Sequence, residues 1–234
     1  MAHTMISTPP KHFRVRSFVG RNSRITAAQE QAFYECLPLY GLSTESGLLD
    51  YDAVFGREAP RFLEIGFGSG HSLLALAKSC PEQDFIGIET HKPGVGALFQ
   101  GIRQHALTNL RVYHADAVDV LDQCIPDASL EGIQIFFPDP WQKRRHHPRR
   151  LIQPELVKKL AAKLKPAGTL HLATDWEDYA IQMMQVLSEE EALFNLAGMH
   201  QFAPRSPYRP LVTKFERRAL REGRHVRELH FAKR

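Results

Sequence analysis

Five short apolar runs recur along the chain, each followed by a stretch of helical period. RFLEI (61–65), DFIGIE (84–89), LRVYHAD (110–116), GIQIFF (132–137) and GTLHLATD (168–175) are rich in Ile, Leu and Phe and bounded by turn residues, which predicts strands. The run at 132–137 is apolar at nearly every position, as a strand covered on both faces must be. Between and after them, 70–79, 94–107, 117–125, 154–166 and 176–187 place apolar residues at helical spacing, although glycines weaken the second of these. Upstream, TAAQEQAFYECLPLYGL (26–42) has a helical pattern that Pro38 is expected to break, with an irregular link beyond it. The region after 187 offers a final strand pair. Alternating strands and helices at this spacing predict an α/β, doubly wound, mostly parallel seven-stranded sheet of the Rossmann-like kind.

Length and composition fit one such domain at residues 25–234, preceded by a basic lead at 1–24 expected to be flexible. No stretch approaches the ~18 consecutive apolar residues of a membrane span. The N-terminus lacks the apolar core of a secretory signal. Cys36, Cys80 and Cys124 form no C-x-x-C pair, which suits reduced, buried thiols in a cytoplasm. The net charge of +4 conceals a strong asymmetry. Residues 1–29, 143–150 and 205–234 carry 20 of the 30 Lys and Arg but only 3 of the 26 acids. Three basic segments on an acidic body point to a polyanion, most simply nucleic acid; merely solvated tails are the competing reading.

Candidate chemistry gathers at the ends of the predicted strands. Glu64, Glu89, Asp116, Asp139 and Asp175 all fall at or just beyond a strand end, the edge where open α/β sheets bind ligands. EIGFGSG joins the first of the five strands to the helix after it, with Gly66, Gly68 and Gly70 spaced G-x-G-x-G rather than as the dinucleotide fingerprint. Glu89 is placed to accept both hydroxyls of a ribose, and Asp116 to accept from an adenine amino group. Glu64 or the loop backbone then meets the amino-acid end of the cofactor. Each acid alone reads equally well as a cap or a surface charge; the set fits S-adenosylmethionine better than a nicotinamide dinucleotide.

FFPDPW holds Asp139 between two prolines, which restricts the geometry in which its carboxylate is presented. A strand-ending turn over a packed Trp141 is the plain alternative. Methyl transfer from a sulfonium depends on positioning and electrostatics. Guanine N7 has a free lone pair and needs no general base. Asp139 and Asp175 are therefore candidates to hold a guanine and to offset the positive charge it acquires. Lys143, Arg144, Arg145, Arg149 and Arg150 are candidate phosphate contacts beside it. His146 and His147, adjacent within a basic run, make poor metal ligands, and no metal is expected.

These stretches carry a resemblance. LEIGFGSG, FIGIETHKPGVG, FFPDPW with the Lys, Arg and His that follow, ATDWEDYA and TKFE resemble, in this order, the bacterial tRNA (guanine-N7-)-methyltransferases of the class I S-adenosylmethionine-dependent fold. The resemblance covers nearly the whole chain. It implies methyl transfer from S-adenosylmethionine to N7 of guanine 46 in the tRNA variable loop. It implies that Glu64, Glu89, Asp116 and Asp139 contact the cofactor, with Asp139 also catalytic. Lys143, Asp175 and the segment Thr213, Lys214, Phe215 and Glu216 would bind substrate; Arg145, His146, Arg149 and Arg150 lie in the RNA-contacting stretch. Pro148 departs from the polar or basic residue expected there, and Arg227 from a frequent aromatic. The expected partner is tRNA, with no membrane and no metal, for a cytoplasmic monomer; a homodimer is the alternative. Competing functions are methylation of another RNA guanine, an RNA-binding protein with a retained cofactor pocket, and, least favoured, a nicotinamide dehydrogenase.

Overall fold

A computed structural model describes residues 24–206, 209 and 211–234, so the basic lead lies outside the described residues except for Arg24. Helix α1 (Ala27–Tyr40) opens with a capping box in which the Gln29 N–H donates to the Thr26 hydroxyl and the Thr26 N–H to the Gln29 side chain. It runs through Pro38 rather than breaking there. Pro38 lies in the last turn, where its missing N–H removes one bond, and the helix still closes through Gly41 N–H to the Leu37 carbonyl.

The chain then forms β1 (Gly41–Leu42), α2 (Tyr51–Phe55), β2 (Arg61–Ile65), α3 (His71–Ser79), β3 (Asp84–Ile88) and α4 (Lys92–Gln104). It continues through β4 (Leu110–Tyr113), α5 (Ala117–Gln123), β5 (Leu130–Phe136), α6 (Pro154–Lys163), β6 (Leu164–Thr174) and α7 (Glu177–Glu189). It ends with β7 (Leu193–Asn195), α8 (Lys214–Arg221) and β8 (Arg227–Lys233). The eight strands of the described residues join one sheet in the order β1-β4-β3-β2-β5-β6-β8-β7. Pairing is parallel from β1 to β6, and β8 runs antiparallel to both β6 and β7.

Eight strands rather than seven result from β1, whose two residues pair with Val112 and Tyr113. Two residues carry no period, so nothing in the sequence pattern marked them. Helix α6 ends at Lys163, earlier than its amphipathic pattern suggests, because the chain enters β6 at Leu164. Arg227 forms part of β8 and lies over the Phe202 ring, 5.3 Å from its centroid, so the cation stem packs where an aromatic was expected.

Two apolar layers sandwich the sheet. Leu63, Ile86, Ile88, Ile133 and Ile135 pack on one face with α5, α6 and α7. Phe85, Leu110 and Val112 pack on the other with α1, α3 and α4. Strand β3 is buried at every position, which accounts for the apolar run from Phe85 to Ile88. The chain leaves β2 toward β3 and β4, then returns to β2's other side with β5. That reversal opens a crevice beyond the carboxyl ends of β2 and β5.

Candidate active site

The glycine loop forms one wall of the crevice. Gly66, Gly68 and Gly70 all have positive φ, at 76°, 60° and 73°, where a side chain strains the backbone. Glu89, just past β3, fixes the loop: its Oε2 accepts from Gly68 N–H at 2.8 Å, and its Oε1 accepts from the Thr90 and His91 amides. A Cβ on Gly94, in the first turn of α4, would come within 2.0 Å of the Gly68 carbonyl oxygen. The glycines that weakened α4 in the sequence are thus contact points. Asp116 caps α5, its Oδ1 accepting from Val118 N–H at 2.9 Å.

Glu64 points inward from β2 and is 4% exposed, with one oxygen lacking a hydrogen-bond partner among the described residues. Burial, reinforced by the nearby Glu89 charge, pushes its carboxyl up to about 8. A buried acid without a counter-charge, beside a glycine cradle, suits the cationic amino-acid end of S-adenosylmethionine. Glu89 and Asp116, beside the same loop, are chemically suited to the hydroxyls and amine of a nucleoside. The donor set fits that cofactor.

The opposite wall is the loop after β5. Phe137 and Trp141 both adopt left-handed backbone, with φ of 52° and 45°, on either side of Pro138-Asp139-Pro140. Such conformations cost ~1–3 kcal/mol each for residues with side chains and persist only where the surroundings enforce them. Here the Phe137 N–H donates to the Ala173 carbonyl of β6 at 2.7 Å. At the far end, the Pro140 carbonyl accepts from Arg150 Nε at 2.9 Å.

Arg150 differs from the sequence expectation. It is 2% exposed, donates to Gln182 Oε1 and Asp178 Oδ2, and lies over the Tyr179 ring. It anchors the loop to α7 and presents no surface to RNA. Its hydrogen bond is also the leading cause that holds the Asp178 carboxyl below its usual range. Lys143, Arg145 and Arg149 are exposed in or beside a 3-10 turn, Arg144–Arg149, with the Arg149 guanidinium over Trp141 at 5.0 Å. His146 meets Trp141 edge-on; partial burial and then the Arg145, Arg149 and Lys143 charges hold its pKa down. Among the described residues no group of three His, Cys, Asp or Glu is arranged to hold a metal ion.

Asp175 follows β6 directly and is bound by Arg224, whose Nη2 lies 2.7 Å from Oδ2. The TKFE segment starts α8: the Thr213 hydroxyl accepts from Glu216 N–H as an N-cap. The reciprocal half of the capping box is absent, because the Glu216 carboxylate turns inward to Arg205 and Arg209. A T-x-x-E pattern could have revealed α8 within the basic tail. Arg209 and Arg150, both buried, carried no such signal.

Residues 58–229 match the family described as "Putative methyltransferase". The chain is 54% identical to the tRNA (guanine-N(7)-)-methyltransferase of Idiomarina loihiensis, over 93% of its own length and 88% of that protein's. It is 52% identical to the enzyme of the same description from Alcanivorax borkumensis, over 94% and 92% of the two lengths. The chain belongs to the tRNA (guanine-N7)-methyltransferase family. Among solved structures it resembles the 16S rRNA methyltransferase KamB, with a TM-score of 0.58 at 14% identity, covering 80% of this chain and 94% of that one. That likeness speaks for the class I fold. The family places S-adenosylmethionine as the methyl donor and guanine N7 in tRNA as the acceptor.

Proposed function

We propose that this tRNA (guanine-N7)-methyltransferase acts on guanine 46 of the variable loop, with Asp139 as its catalytic residue. The observation that carries the reading is the Asp139 loop itself: a carboxylate between prolines and two left-handed residues, at the switch point of the sheet, with an exposed basic turn next to it. S-adenosylmethionine, when bound, supplies a methyl group on a positively charged sulfur. Glu64, Glu89, Asp116, Asp139 and the backbone of Gly66, Gly68 and Gly70 hold it. N7 would offer its own lone pair to the methyl carbon as the carbon–sulfur pair leaves with the neutral thioether, and Asp139 would offset the charge that the base acquires. Asp175 and the segment Thr213, Lys214, Phe215 and Glu216 hold the base; Lys143 contributes from the loop. Arg145, His146 and Arg149 bind the neighbouring backbone. The target guanine must leave its pairing to enter the crevice, at a cost of a few kcal/mol.

A single chain carries the whole set, which supports one domain over 25–234 acting as a monomer on cytoplasmic tRNA. No helix among the described residues is long and apolar enough to cross a membrane. The test is transfer of labelled methyl from S-adenosylmethionine to unmodified tRNA, beside the same tRNA with guanine 46 replaced by adenine. Label should enter only the first and be recovered as 7-methylguanosine after digestion. Equal label in both would place the target elsewhere.

A further inference from the structure

Behind the Asp139 loop lies a group of buried charges of which the proposed chemistry uses only Glu216. Arg209 is 1% exposed, and its Nε lies 3.0 Å from Glu228 Oε1 while its Nη2 lies 2.9 Å from Glu216 Oε1. The same guanidinium covers the rings of Phe136 and Phe137, at 5.4 and 5.3 Å from their centroids. Glu228 is held in turn by His171, at 2.7 Å, and by the Ser206 amide, at 3.0 Å. One cation therefore touches the last strand, the amino end of α8 and the left-handed residue that starts the Asp139 turn.

A lysine would satisfy the charge but not this geometry. Only a planar fork meets two carboxylates at its edge while lying over aromatic rings. A buried ion pair is weak evidence for stability, since an apolar replacement of the whole cluster is often as stable. What the cluster specifies is relative position.

We propose that Arg209 is a positioning residue that sets the Asp139 turn and the 213–216 segment in one register, so that the cofactor-side and base-side halves of the site are fixed together. The catalytic consequence rests on the function proposed above; the mechanical coupling does not. Phe137 is left-handed although its side chain disfavours it, and the β6 hydrogen bond and the Arg209 plane are among the contacts that hold it there. Loosening that plane frees the turn. Loosening the Glu216 contact frees the first turn of α8.

Arg209→Lys tests this with two readouts. Hydrogen exchange should quicken by roughly tenfold or more in peptides covering both 136–141 and 211–217, while 61–65 is unchanged. In methyl transfer, kcat should fall by about 100-fold, the loss expected of a displaced reacting group, with the KM for tRNA and the affinity for S-adenosylmethionine nearly constant. Faster exchange confined to 211–217 would overturn the coupling. So would an unchanged kcat, or a parallel loss of kcat, cofactor affinity and melting temperature. Should the lysine variant not fold, Glu228→Gln keeps Arg209 and its ring contacts while removing one counter-charge. It should quicken the same two segments and lower kcat by roughly tenfold; no change in either would count against the proposal. If the unaltered protein fails to methylate tRNA, the function reading falls, and the exchange experiment still decides the coupling.

Discussion

With Glu64 holding the cofactor as proposed, one residue would link cofactor binding to pH. Its carboxyl is sealed from water beside Glu89, and its folded pKa is raised by burial first and that charge second. The protein without cofactor therefore keeps Glu64 protonated below about 8. A raised folded pKa means that stability is full below the ordinary carboxyl value and is lost as pH rises through about 8. Glu64→Gln, which stays neutral, should match the unaltered protein below about pH 4 and melt at least about 3 °C higher at pH 9. A cationic cofactor favours the ionised form, so its binding releases a proton. Calorimetry should show affinity for S-adenosylmethionine rising with pH up to about 8 and then levelling, and the Gln variant should lose that slope. A pH-independent affinity in the unaltered protein would place the cofactor's charge away from Glu64.

Among the elements, α4 is the clearest case of helix propensity yielding to packing. Gly94 lets the Gly68 carbonyl approach, Gly96 admits the Gln29 carbonyl of α1, and Gly101 lies closest to the Leu74 side chain. An added methyl at 94 meets backbone that carries the cofactor loop; at 101 it meets the movable end of a leucine. Gly94→Ala should thus weaken S-adenosylmethionine binding by tenfold or more, about 1.4 kcal/mol, in equilibrium titration. Gly101→Ala should leave that affinity alone. Equal effects from the two would mean that the Gly94 contact does not shape the loop. Helix α8 depends on tertiary contacts in a different way. Its cap is written in the sequence as Thr213 and Glu216, yet the Glu216 carboxylate is taken by arginines from outside the helix.

Across the whole molecule, charge is divided by role as well as by sign. Arg145 and Arg149 are exposed near the carboxyl edge of the sheet, as are Arg217, Arg218 and Arg221 on α8. Arg150, Arg209 and Arg224 instead make internal ion pairs. Of these eight arginines, the exposed ones are placed to displace counterions from RNA. Arg145→Ala and Arg149→Ala should each reduce the salt dependence of tRNA binding by roughly one unit in log Kd against log salt. Arg150→Ala should leave that slope unchanged and lower the melting temperature, because it strips Asp178 and the Pro140 carbonyl of their partner. Filter binding over a salt series separates the two classes; a lowered slope for Arg150→Ala would return it to the RNA face. Two of the three cysteines, Cys36 and Cys124, are buried with their thiol pKa values pushed up by burial, while Cys80 is only partly covered.

Local pattern by itself determined five strands, the helices between them, the glycine loop and the row of acids at the strand ends. Each of these is set by residues within a few positions of one another: period, proline, glycine and strand length. That was enough to fix the edge on which the site lies, because parallel strands joined by helices all deliver their carboxyl ends to one side. Tertiary structure decided what proximity in sequence cannot express. It alone turned Arg150 inward, brought Arg209 under Phe137, tied Asp175 to Arg224, and added the two-residue β1. An arginine has the same side chain whether it faces phosphate or a buried carboxylate. Only the fold supplies the partner, and with it the dielectric that makes the charge a contact or an anchor.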